Sequence, residues 1–124
     1  MTKNSKMEDK RKYKRFQIDL NAKYLLEKNP KEWKGCTVVN ISRDGMGIIV
    51  SLRESIPIGS LLQLEIMFPT QEEPIKAIGV LRWIKEQLEE MNFPGGIELT
   101  KIDPEDKWTL LDYAYDNLST KEKG

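Results

Sequence analysis

From Phe16 to Leu26 the chain alternates. Ile18, Leu20, Ala22, Tyr24 and Leu26 are apolar, and the polar residues Asp19, Asn21 and Lys23 stand among them. Successive side chains of a β-strand point to opposite faces, whereas a helix would need apolar residues three and four apart. The segment therefore reads as a half-buried strand, which commits the rest of the chain to completing a sheet. Lys28-Asn29-Pro30 predicts a turn, residues 33–42 a second strand ended by Arg43-Asp44-Gly45, and residues 46–52 a third. After a break at Ile56-Pro57-Ile58-Gly59, Leu62, Leu64, Ile66 and Phe68 alternate again as a fourth strand. Residues 75–85 form a fifth, apolar on both faces, so its inward register stays open. Asn92-Phe93-Pro94-Gly95-Gly96 predicts a turn into a short sixth strand, 97–101.

The pattern then changes period. Asp103 suits a helix N-cap, Pro104 the first helical position, and Glu105 and Asp106 complement the positive end of the helix dipole. Trp108, Leu111, Tyr115 and Leu118 follow at helical spacing, predicting a face that closes over apolar surface, with Asp112 and Asp116 toward water. Six short strands and one terminal helix predict a mainly β chain: a six-stranded antiparallel β-barrel with a C-terminal α-helix, since closure removes exposed strand edges. An open α+β sheet and other small barrels fit the same periodicity. The 124 residues fit one domain. It spans residues 10–118, between a flexible N-terminal arm, 1–9, and a flexible tail, 119–124.

Several functions are set aside by composition. The chain has no histidine, which removes the commonest general base and metal ligand at neutral pH. Its acidic pairs, Glu72-Glu73, Glu89-Glu90 and Glu105-Asp106, lack the spacing of a metal loop and read as solvated faces. Its single cysteine, Cys36, lies in a predicted strand and reads as a packing residue. We therefore expect no enzymatic activity, no catalytic residue, no metal and no cofactor. No apolar run is long enough to span a bilayer, and the basic N-terminus lacks the apolar core of a secretory signal, so the expected location is cytoplasmic.

The formal net charge of zero conceals an asymmetry. Residues 1–15 hold seven basic and two acidic side chains, a net of +5, and the remainder, with 13 basic and 18 acidic, is −5. Arg11 and Arg15 lie in this arm, four apart, on one side whether the arm is extended or helical. A guanidinium offers a planar fork of donors that suits phosphate and the O6/N7 edge of guanine. A solvated basic tail is the plainer alternative. On the second strand, Asn40 and Ser42 are two apart and should point outward together, with Val39 and Ile41 toward the core. Gly45 would allow a positive φ or a close backbone approach. Here the plainer alternative is a turn in which Asn40 and Ser42 cap their own backbone.

Arg-x-x-x-Arg before the first strand, then Asn-x-Ser-x-x-Gly leaving the second, resembles the PilZ domain family, over roughly residues 10–118. The resemblance implies a PilZ-type barrel and a receptor for cyclic di-GMP. It implies that Arg11 and Arg15 grip phosphates and guanine edges, that Asn40 and Ser42 add hydrogen bonds, and that Gly45 leaves room for the ligand. Lys10 stands where many members have a further arginine. Trp83 could stack on a guanine, as an aromatic does in some members, or be a core residue. The resemblance also implies an adaptor whose arm changes conformation on binding and signals to a downstream protein not identified by the sequence. Two other functions fit the fold: a PilZ-like protein-interaction module without nucleotide binding, and a small nucleic-acid-binding barrel. The acidic body argues against the latter, as does the lack of an aromatic and basic stacking platform along a strand.

Overall fold

The computed structural model describes residues 15–50, 56–85 and 92–123, with side chains as far as residue 116. Six strands, β1 (Phe16–Leu26), β2 (Asn29–Ile41), β3 (Gly45–Val50), β4 (Leu61–Ile66), β5 (Ile75–Ile84) and β6 (Phe93–Ile102), precede one helix, α1 (Pro104–Lys123). The strands close into a barrel in the order β1-β2-β3-β6-β5-β4, and every pairing is antiparallel. The expected barrel with a C-terminal helix is thus the fold.

Alternation sets the interior. Ile18, Leu20, Ala22 and Tyr24 of β1, Met46, Ile48 and Val50 of β3, and Leu62, Leu64 and Ile66 of β4 are all buried in one core. The uncertain register of β5 resolves with Ile75, Ala77 and Leu81 inward. On β2 the expected phase holds at Ile41, which is buried, but fails at Val39: Cys36 and Val38 are buried before it, whereas Val39 is half-buried. The β2–β3 register slips between Val38 and Asn40, so one extra residue enters β2 and the alternation restarts.

Two further expectations are corrected. The 92–96 segment is not a turn: β6 begins at Phe93 and pairs with β3 through Pro94, Gly95 and Gly96. The helix is capped as expected, the Glu105 backbone N–H donating to Asp103 Oδ1 at 2.8 Å. Its packed face matches the expected one only at Leu111, however. Leu110, Leu111 and Ala114 are buried, while Trp108 and Tyr115 are 62% and 58% exposed. The apolar residues of α1 spread over more than half of its circumference, so spacing alone could not choose the face. Phe68 meets Tyr113 edge-on with ring centroids 5.1 Å apart, securing the helix to the barrel. The helical backbone continues to Lys123, beyond the domain boundary expected at 118.

Burial pushes the Cys36 thiol from 9.0 up to about 12, because the interior disfavours the thiolate. Below pH 9 the thiol is neutral in folded and unfolded chains and adds no pH dependence. Between pH 9 and 12 only the unfolded chain ionises it, so stability falls as pH rises, by roughly 1.4 kcal/mol per pH unit. Urea unfolding of Cys36→Ala should therefore show a flatter decline above pH 9 than the parent; equal slopes would mean that the thiol is solvated.

Candidate functional site

Arg15 immediately precedes β1 and is partly buried; its Nη1 donates to Asn40 Oδ1 at 2.9 Å. The β1–β2 register sets this meeting, because Gln17 stands opposite Asn40 and Phe16 opposite Ile41. One member of each sequence motif is thereby joined to the other. Arg11 and Lys10 lie outside the described residues.

Ser42 does not share the outward position expected for it. It is 5% exposed, and it closes the β2–β3 turn. Its Oγ accepts from the Gly45 N–H at 3.2 Å and donates to the Gly45 carbonyl at 3.4 Å, while the Ser42 N–H donates to that carbonyl at 2.9 Å. The serine therefore acts as the turn-capping alternative foresaw. No residue of the turn has a positive φ. Gly45 is required for a close approach instead, since a Cβ there would collide with the Ile97 carbonyl oxygen of β6. The turn is fastened to β6 by the Leu99 N–H, which donates to the Asp44 carbonyl at 2.8 Å.

Outward-facing groups line up across the barrel wall. Asn40 of β2 pairs with Gly47 of β3, Gly47 with Gly96 of β6, and Gly96 with Trp83 of β5. Three strand spacings, about 14 Å, separate the ends of this row. Its two middle positions lack side chains, and both flanking side chains lean over them. A Cβ at Gly47 would come within 2.5 Å of Asn40 Nδ2, and one at Gly96 would strike the Trp83 indole. Trp83 is 44% exposed and belongs to this surface rather than to the core. Beside Asn40, an open groove over β1, β2 and β3 is lined by Gln17, Asp19, Thr37, Val39 and Ile49.

The site as built is a two-glycine shelf between a carboxamide that Arg15 holds and an indole. It offers a flat floor, hydrogen-bonding groups at one end and an aromatic plane at the other. Gly47 and Gly96 were absent from the sequence-derived set. A glycine inside a strand pattern signals close approach, which could have found Gly47; Gly96 was hidden in an apparent turn. Among the described residues, no three of His, Cys, Asp and Glu group to hold a metal ion. Nor is any helix there long and apolar enough to cross a membrane.

Fold and site together define a small β-barrel that presents its polar groups on the outer wall. A PilZ domain model matches residues 9–116, and the chain belongs to the PilZ domain family. Among solved structures it resembles the inhibitor of motility MotI/DgrA of Bacillus subtilis, at 24% identity and a TM-score of 0.73. That match covers 91% of this chain and 53% of the other, so the chain spans about half the length of that protein. It also resembles the PilZ domain, with c-di-GMP, of YcgR from Escherichia coli, at 15% identity and a TM-score of 0.70, over 93% of this chain and 97% of the other. At these identities the likeness is one of fold. No curated protein matches the sequence.

Proposed function

We propose that this protein is a cytoplasmic cyclic di-GMP receptor without catalytic activity, acting as an adaptor toward a downstream protein. The observation that carries the reading is the hydrogen bond from Arg15 to Asn40, which sets a guanidinium at the head of the glycine shelf. Membership of a family that includes cyclic di-GMP receptors supports it, as does the c-di-GMP held by the Escherichia coli neighbour. Arg15 and Arg11 would take phosphate and guanine O6/N7, Asn40 would add a hydrogen bond, and Trp83 would stack on a base. Lys10 would add charge. Ser42 and Gly45 serve from behind, by fixing the turn that ends β2.

Binding at the base of the arm would change what the arm presents to the downstream protein, which is how a barrel without chemistry can signal. Calorimetric titration of the intact protein with cyclic di-GMP tests the reading. Saturable binding in the micromolar range or tighter is expected; silence at high micromolar ligand would remove the receptor function.

A further inference from the structure

The rim of the shelf carries a charged pair that the reading above leaves without a role. The β5–β6 register slips between Leu81 and Trp83, and Arg82 and Trp83 are both exposed instead of alternating. Arg82 Nε donates to Glu98 Oε1 at 2.7 Å, and Arg82 Nη2 lies 2.6 Å from the same oxygen. Glu98 stands opposite Gly45, two residues along β6 from the pairing of Gly96 with Gly47, and so on the same outer face. The ion pair thus borders the glycine floor beside the indole. Both contacts from Arg82 fall on Oε1, which turns Oε2 into a second, separately placed acceptor.

A carboxylate only accepts hydrogen bonds, so next to a dianionic ligand it costs affinity unless the ligand offers it donors. Guanine does. Its N1–H and N2–H₂ stand side by side on the Watson–Crick edge, where adenine has an acceptor at N1 and hypoxanthine lacks the amine. We propose that Glu98, oriented by Arg82, accepts from the Watson–Crick edge of a guanine stacked on Trp83 and is the residue that selects guanine at this site. The inference rests on the cyclic di-GMP reading. Arg82 acts through Glu98: it holds the carboxylate and offsets its charge near the ligand phosphates. A site built to pair with a ligand N–H discriminates well against an analogue that lacks it, because the acceptor is then left unpaired.

The test compares cyclic di-GMP with its inosine analogue, cyclic di-IMP, by calorimetric titration of the intact protein and of Glu98→Ala. The ratio of the two affinities is the readout, because Arg82 released by the substitution would raise the affinity for any dianion. The parent should favour cyclic di-GMP by about tenfold or more, the worth of one hydrogen bond to a charged group. Glu98→Ala should bring the ratio close to one. A variant that keeps the parental ratio, or a parent that binds both dinucleotides equally, overturns the role of Glu98 while the receptor function stands. A parent that binds neither overturns both.

Discussion

Arg15→Ala is expected to weaken cyclic di-GMP binding by about thirty- to several-thousand-fold, equivalent to roughly 2–5 kcal/mol for truncating one partner of a desolvated charged contact. The loss has two parts. A guanidinium carries five N–H donors in a fixed fork, and the bond to Asn40 Oδ1 at 2.9 Å engages one of them. Truncation removes the charge and the fork that would face the ligand. It also releases the Asn40 carboxamide, whose position over Gly47 is fixed at one end by that bond. Arg15→Lys should fall between the parent and alanine, since it restores the charge without the planar geometry. Calorimetric titration of the three proteins gives the series directly, and a change near zero in Arg15→Ala would exclude Arg15 from the site. The fold should hardly notice, because Arg15 precedes β1 and lies outside the barrel core.

Legibility in the sequence followed the strength of the local rule. The inward-facing residues of β4, and those of β1 from Ile18 to Tyr24, are buried as expected; at the end of β1 the register shifts, and Leu25 is buried while Leu26 is only half-buried. The phase of β2 was lost at a single inserted residue, because a bulge is a property of the pairing and leaves no mark on one strand's own pattern. That slip is why Val38 rather than Val39 fills the core, whereas Ser42 is buried because it lies past the end of β2, where it closes the turn onto Gly45. The helix boundary was readable from Asp103 and Pro104, but its packed face was not, since Trp108 and Tyr115 are apolar yet exposed. At the site, the motif residues located the β2–β3 turn and the start of β1. The row from Asn40 to Trp83 needed the β3–β6 and β5–β6 registers, which join residues far apart in the chain. Gly95 and Gly96 misled for a related reason. A turn and a site of close strand approach both call for glycine, and only the partner strand tells them apart.

Leu110→Ala is expected to cost roughly 2–5 kcal/mol of folding stability while leaving the ligand surface largely intact. Leu110 is fully buried, and with Ala114 one turn later and Leu111 beside it forms the helix contribution to the core. Removing its side chain leaves a cavity where helix and barrel meet, and the helix must loosen or the core collapse around the gap. A domain of this kind holds on the order of 5–15 kcal/mol in total, so the urea midpoint should fall visibly at unchanged slope. The shelf, by contrast, is carried by β2, β3, β5 and β6. Affinity for cyclic di-GMP should then change by less than about threefold wherever the variant is folded, since Leu110 is buried in the core and forms no part of the shelf. Ligand at about a hundred times its dissociation constant should return roughly 2.7 kcal/mol, offsetting much of the loss. One contact could break this separation: Tyr115 of the helix meets Phe16 edge-on at 6.1 Å, and Phe16 directly follows Arg15. If Leu110→Ala weakens binding as strongly as it weakens folding, the helix positions the base of the arm through that ring pair, and α1 belongs to the receptor site.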